Sequence, residues 1–450
     1  MAKIHKPTDF AVLLQRYGLE IFELARTYKA VDDKGRYLHW DEFRRYPSPG
    51  VNKEAAWAAI KMSRALGAKT LELRSACGSP FFVSTTDFCD AVIHAVESVT
   101  SRLGGAAASS PQYRDNTRYL VDSLMMEEAI SSAQLEGAAT TRKIAKDMLG
   151  KERMPQDDDE RMILNNYQLM KHAKYNKDEH LSVALICEFQ GIATAGIDEA
   201  DVHPGQIRDS DDIFVGGAGD EVVHQPPDSA LLPARLEALC RFANDRHDGQ
   251  GGRHFIHPVV KAVILHFMLG YEHPFRDGNG RTARCLFYWF MLKSGYWPFE
   301  YISISTLLKE APMQYGRSYI YTETDAFDLT YFVTYQLRVI ERAIHEFVDY
   351  FEDKRRESVE LMTWLDTLQL QVELNYRQAH FLKKVLQHPG RIFTPKELTH
   401  DYDISENTAR KDLEKLVGMK LLFKVQEGKG FLYLAREDAE ANLKKLQRRS

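Results

Sequence analysis

Residues 271–290 read YEHPFRDGNGRTARCLFYWF, a polar, glycine-bearing turn set between two strongly apolar runs. HPVVKAVILHFMLGYE before the turn and RTARCLFYWFMLKSGY after it both predict buried helices, so the centre of the molecule is expected to be α-helical. A histidine, an aspartate, a Gly-Asn-Gly run and two arginines build a poor core, and chemistry is the alternative use for them. Asp277-Gly278-Asn279-Gly280 must turn the chain and open the second helix. Amides at a helix N-terminus, with no side chain in the way, attract an anion. Arg281 and Arg284, three apart, are expected on one face of the first turn, where they can address several phosphate oxygens. Asp277 offers a hard oxygen ligand suited to Mg2+ riding on a phosphate chain. His273 titrates near neutrality and can accept a hydroxyl proton. A base, a metal carboxylate, an anion cradle and two arginines are the parts for transferring a phosphate-linked group.

Other readings are weaker. Neither a GxxxxGK[ST] loop nor a GxGxxG following a strand occurs in the sequence. An isolated histidine is more often a core residue and DGNG alone more often a turn, but neither accounts for two arginines in helical register. A zinc site from His254, His257, His266 and His273 lacks both the HExxH spacing and a completing carboxylate.

The string HPFRDGNGRTAR resembles the signature of the Fic family, HPFx[DE]GNGRxxR, at every fixed position. Fic enzymes mostly transfer AMP from ATP to a hydroxyl side chain of a target protein. The resemblance implies that His273 is the base, that Asp277 holds Mg2+, and that Gly278, Asn279 and Gly280 line an anion hole for the α- and β-phosphates. It gives Arg281 the phosphate chain, Arg284 the γ-phosphate, and Phe275 an anchoring place in the core. The related Doc kinases carry lysine where this chain has Gly280, so glycine here favours nucleotidyl transfer over phosphorylation.

Two further segments gain meaning from that resemblance. Ser132-Ala133-Gln134-Leu135-Glu136-Gly137 reads on its own as a helix ending at a glycine cap. Beside the signature it resembles the family's inhibitory motif, [ST]xxxE[GN], which implies that Glu136 pairs bidentately with Arg284 and denies the γ-phosphate its partner. DDIFVGGAGDEVVHQPP carries two short β-prone runs around a glycine-rich turn, a hairpin signature inside a helical region. It resembles the Fic flap, whose Ile213, Phe214 and Val215 would pair with an extended target segment as an added strand.

Outward from this centre, 450 residues exceed one ordinary core, so several domains are expected. A composition of 44% hydrophobic and 27% charged residues, with net charge -5, is that of a globular protein that does not advertise nucleic-acid binding as a whole. Five scattered cysteines without a CxxC pair read as reduced thiols. The apolar runs are short for a membrane span and the N-terminus does not read as a signal peptide, so a cytoplasmic protein is expected. Tyr376 to Ala435 reads helix, helix-turn-helix, then a β-ribbon around Glu427-Gly428-Lys429-Gly430, similar to the winged-helix family. Its eleven Lys/Arg against seven Asp/Glu suit DNA, although winged helices also dock proteins.

The expected architecture is mainly α: a Fic-type helical bundle with a β-hairpin flap, plus a C-terminal winged helix-turn-helix domain. Residues 1–112 form an N-terminal helical region, closed by the Gly/Ala/Ser-rich LGGAAASSPQ. Residues 113–350 form the catalytic domain, with the inhibitory helix at about 123–137 and the flap at about 211–226. A linker helix (351–374), the winged helix (375–436) and a tail (437–450) follow. The expected activity is AMP transfer from ATP, with Mg2+, to Ser, Thr or Tyr of a target protein. Alternatives are AMP removal, another nucleotidyl transfer, or a nucleotide-sensing DNA-binding regulator. A homodimer is a further expectation, because members of the family often form one.

Overall fold

The computed structural model describes residues 4–46, 50–108, 125–150, 152–197, 202–216, 222–251, 254–368, 374–402, 404–427 and 430–446. The chain divides into two compact units. One comprises Met1–Thr100, Leu124–Met148 and Met154–Ile344, and the other contains His345–Ser450.

The first unit opens with α1 (Phe10–Tyr17), α2 (Leu19–Leu24), α3 (Trp40–Phe43) and α4 (Lys53–Ala65). Asp9 and Asn52 cap α1 and α4 by accepting first-turn amides, and Leu13, Ile21, Phe43 and Trp57 form a shared core. This region is not wholly helical, as the sequence reading had it. β1 (Lys69–Arg74) and β2 (Pro80–Val83) pair antiparallel, with Thr70 opposite Phe82. Leu71 and Leu73 are buried in alternation with exposed neighbours, and Gly78 turns the chain at φ 83°. α5 (Asp87–Ala108) follows; residues 109–112 of the expected Gly/Ala/Ser boundary lie outside the described residues.

Next come α6, helical over residues 125–135, α7 (Arg142–Gly150), α8 (Asp158–Tyr175), α9 (Val183–Thr194) and α10 (Leu232–Asn244). The start expected for the inhibitory helix, residues 123–124, is outside the described residues. α11 (Pro258–Glu272) and α12 (Asn279–Lys293) pack along each other, and α12 also packs on α8 and α9. Both are buried almost throughout, as a helix that is apolar on every side must be. α13 (Ile304–Glu310) and α14 (Pro312–Thr324) lead into α15 (Thr330–Leu368), one continuous helix of 39 residues. β3 (Val215–Gly216) and β4 (Val222–His224) form the expected hairpin, Val215 opposite His224. Its turn, residues 217–221, lies outside the described residues.

In the second unit, α16 (Tyr376–Gln387), β5 (Ile392–Phe393), α17 (Pro395–Tyr402), α18 (Glu406–Gly418), β6 (Leu422–Glu427) and β7 (Gly430–Ala435) make a three-helix, three-strand domain. Its sheet order is β5-β7-β6. Ser405 caps α18 by accepting the Thr408 amide at 3.2 Å. Gly428 and Lys429 of the expected β-ribbon turn are outside the described residues. The segment expected as a tail instead forms α19 (Ala439–Lys445), because Ala439 and Leu443 complete the apolar core. Among the described residues no helix is long and apolar enough to cross a membrane.

Candidate active site

α11 ends at His273, whose backbone is left-handed (φ 44°, ψ 57°). Pro274 disfavours a right-handed helical conformation in the residue before it, so the helix stops here. The imidazole is largely buried, and its Nδ1 has no hydrogen-bond partner among the described residues. Burial, then the nearby His224 and Arg208, lower its pKa to about 4. At neutral pH the ring is therefore uncharged and able to accept a proton.

The turn that follows is held from within. Phe275 is fully buried, and the Asn279 side chain both accepts the Phe275 amide (3.0 Å) and donates to its carbonyl (2.7 Å). Asn279 is thus a latch on the loop, leaving only its backbone amide toward an anion. Gln190 of α9 donates to the Asp277 carbonyl at 2.9 Å. Gly278 sits at φ 81°, and a Cβ there would lie 3.0 Å from Thr194.

The two arginines do not point to one place, as their spacing led us to expect. Arg281 curls back along α12 to Asp277 Oδ2 (2.5 Å) and to the Ala193 carbonyl (2.7 Å). Arg284 reaches α6 instead: Nε donates to Ser132 Oγ (2.8 Å), and one terminal nitrogen lies 3.0 Å from the Ser132 carbonyl and 2.8 Å from Glu136 Oε1. Ser132 thus shares the Arg284 guanidinium fork with Glu136. The other terminal nitrogen of Arg284 is buried and without a partner among the described residues.

Glu128, Ser132 and Glu136, four apart, form one stripe along α6 and its C-terminal turn. Glu128 is buried, where it accepts Ser305 N (3.0 Å), Ser305 Oγ (2.5 Å), Ser303 Oγ (2.9 Å) and Tyr288 OH (2.8 Å). Burial raises its pKa, with these donors opposing the shift. Glu127 pairs with Arg142 and Lys146 of α7. Gly137 at φ 109° ends the helix, and the Ala138 amide closes it by donating to Ala133 O at 3.1 Å. The carboxylate of Glu136 lies against the first turn of α12: a Cβ on Gly280 would stand 2.2 Å from its Oε1.

Ile213 and Phe214 lead into β3; Phe214 is 55% exposed, and Ile213 O accepts from Gln225 Nε2 at 3.3 Å. His224 of β4 bonds the Tyr271 carbonyl (2.8 Å) and Glu323 (2.8 Å). Burial works against charge on His224, yet Glu323 outweighs it and the pKa is raised. Arg276 donates to Ser210 Oγ at 2.7 Å.

Sequence reading missed Glu128, Arg208 and His224. A glutamate falling four and eight residues before Ser132 and Glu136 is a legible signal; the other two carry none beyond their nearness to the hairpin. Among the described residues no group of three His, Cys, Asp or Glu side chains could hold a metal. His266 bonds Tyr315 OH at 2.7 Å.

Comparison with known proteins bears on this geometry. Residues 180–291 match the Fic/DOC family, and residues 377–432 match a DeoR-like helix-turn-helix domain. Proteins named protein adenylyltransferase Fic from Drosophila yakuba and Drosophila melanogaster are each 37% identical over 100 residues. That match covers 22% of this chain and 17% of theirs. Among solved structures, a Fic family protein from Desulfovibrio desulfuricans G20 is similar at TM-score 0.46 and 17% identity, over 77% of this chain and 96% of that one. Fic-1 from C. elegans is similar at TM-score 0.48 and 18% identity, over 76% and 87%. The chain therefore carries a Fic domain of the Fic/DOC family at residues 180–291 and a DeoR-like helix-turn-helix domain, of winged-helix type, at residues 377–432.

Proposed function

We propose that this chain transfers AMP from ATP to a Ser, Thr or Tyr hydroxyl of a target protein, and that Glu136 restrains it. One observation carries the reading: a carboxylate already lies against the first turn of α12, beside an Arg284 that keeps one buried nitrogen without a hydrogen-bond partner among the described residues. A site that sets one anion beside a glycine-flanked helix N-terminus and pairs it with a guanidinium is suited to hold another. When Glu136 withdraws, phosphate oxygens take the amides of Gly278 to Gly280, and the γ-phosphate takes Arg284. Neutral His273 accepts the proton of the target hydroxyl as its oxygen attacks the α-phosphorus. The bond from that phosphorus to the bridging oxygen breaks, and pyrophosphate leaves. The relatives' name, protein adenylyltransferase, supports the same reaction class.

Mg2+ fits this site in one manner only. Among the described residues Asp277 belongs to no group of three ligating side chains; it is 41% exposed, with one oxygen engaged by Arg281. Such a ligand suits an ion that arrives on phosphates and not one caged by protein. The ion would supply charge neutralisation along the phosphate chain. Arg281, committed to Asp277 and Ala193, then acts by orienting that carboxylate.

The β3–β4 hairpin is the place for the target, through Ile213, Phe214 and Val215 and main-chain pairing. Exposed Arg410 and Lys411 on α18 are the residues with which the helix-turn-helix domain would meet DNA.

The test compares label transfer from α-labelled ATP with Mg2+ by wild-type, Glu136→Gly and Glu136→Gly/His273→Ala chains, read as autolabelling. Strong label in the single variant alone is expected. No label from any of the three, with ATP binding intact, overturns the transferase reading and leaves AMP removal or nucleotide sensing.

A further inference from the structure

The hairpin and the candidate base are joined by one side chain. Arg208 is 5% exposed and spends its donors on four backbone carbonyls and a carboxylate. Its Nε donates to His273 O at 3.0 Å, and its backbone amide donates to Pro274 O at 2.9 Å. One terminal nitrogen donates to Ser210 O (2.7 Å) and Asp211 Oδ1 (2.9 Å) at the entry to the hairpin. The other donates to Pro227 O at its exit. Asp211 closes the ring by accepting the Ser229 amide at 2.6 Å.

The physical need comes from α11. A helix leaves its last carbonyls without partners inside the helix. Here they are taken by groups of the hairpin segment: Tyr271 O by His224 and His273 O by Arg208. A guanidinium holds its donors in a rigid planar fork, whereas an ammonium is a point charge on a flexible stem. The distance between the His273 backbone and both hairpin roots is therefore fixed by the shape of one buried group.

We propose that Arg208 is a positioning residue, which sets His273 and the target-docking hairpin as one rigid pair so that a bound hydroxyl meets the imidazole. The inference rests on the transferase reading above.

The experiment places Arg208→Gln and Arg208→Lys in the full Glu136→Gly chain. It measures label transfer from α-labelled ATP, ATP affinity by calorimetry, and histidine ring titrations by NMR. A misplacement of about 1 Å costs about a hundredfold, so both variants should lose transfer on that order. ATP affinity should stay within about twofold, since the loss concerns the transition state. Removing the cation should raise the pH at which His273 titrates, and Arg208→Lys should restore that titration without restoring the rate. Parental transfer by Arg208→Gln, rescue of the rate by lysine, or loss of ATP affinity along with transfer would each overturn the proposal. If the Glu136→Gly parent itself transfers nothing, the transferase reading fails separately. The geometric inference is then decided by NMR: Arg208→Gln must still shift the ring signals of both His273 and His224, and unmoved signals overturn it.

Discussion

At Gly280 a methyl group would stand 2.2 Å from Glu136 Oε1 and 3.1 Å from a terminal nitrogen of Arg284. The glutamate can swing away, being the far end of a flexible chain, but an anion on the α12 amides would meet the same methyl. Gly280→Ala should therefore release Glu136 without opening the site. ATP binding is expected to weaken about tenfold or more in both the wild-type and Glu136→Gly backgrounds, by loss of one charge-assisted contact. Calorimetry with ATP checks this. An alanine variant that binds ATP as well as Glu136→Gly does would mean the phosphates lie elsewhere. Much at this scale was legible. His273, Asp277 and Arg284 stand where a turn between apolar helices puts them, because few other placements satisfy that local pattern. What the pattern did not carry was direction: Arg281 turns to its own aspartate, and the Asn279 side chain turns to Phe275. Rotamer choice depends on neighbours distant in sequence, here Ala193 and Ser132.

Among the elements, α6 acts through its stripe. Glu128 is the root of that stripe, with four donors converging on a buried carboxylate from α12, α13 and the residue before α13. Glu128→Ala takes the acceptor from the buried Ser305 amide and hydroxyl, while Tyr288 and Ser303 keep Ile302 O and Thr306, and should cost about 3 kcal/mol, within the range for hydrogen bonds to a charged buried group. It should also loosen the docking of Ser132 and Glu136, so that autolabelling rises above wild type without any change at Glu136. Thermal melts and label transfer read the two effects together. Lower stability with no gain in labelling would show that the stripe is not what holds the brake. The amphipathic α15 and the Ser405-capped α18 were legible from period and cap, and the β3–β4 hairpin from its glycine turn. The β1–β2 hairpin was not. Its strands are short, and its stabilising partners come from far along the chain: Phe82 exchanges backbone hydrogen bonds with Phe327 and Leu329. Strand propensity of that kind is a matter of context. Nor was α19 legible, since Ala439 and Leu443 become core only once the wing sheet exists to receive them.

For the molecule as a whole, the buried histidines set a dependence on acid. Burial lowers His39 to about 4, where it stacks on Tyr321 at 4.1 Å. His266 is lowered to about 3 and His273 to about 4, again by burial first. All three belong to the first unit. In the unfolded chain each regains a value near 6.5, so below that pH the unfolded state binds more protons and the folded state is the loser. Stability from these groups is complete above 6.5 and is lost as pH falls toward their folded values. Each contributes about 1.4 kcal/mol per pH unit, or about 2 kcal/mol by pH 5. His224 acts in the opposite sense, because its folded pKa is raised: its contribution is present below 6.5 and lost as pH rises through the folded value. His247 and His257 are lowered by burial too, so five groups against one leave a net loss on acidification. Urea unfolding followed by tryptophan fluorescence, to which Trp40, Trp57, Trp289 and Trp297 of this unit contribute, should show stability falling from pH 7 to pH 5. His266→Phe keeps an aromatic ring in the core but removes one titration, so its slope over that interval should be flatter by about one proton's worth, about 1.4 kcal/mol per unit. The same neutrality reaches the chemistry. With His273 uncharged well below neutrality, the acid limb of label transfer by Glu136→Gly should fall below the ordinary histidine value of 6.5. A limb at or above 6.5 would mean that nucleotide or target recharges the imidazole, and that burial alone does not set the base.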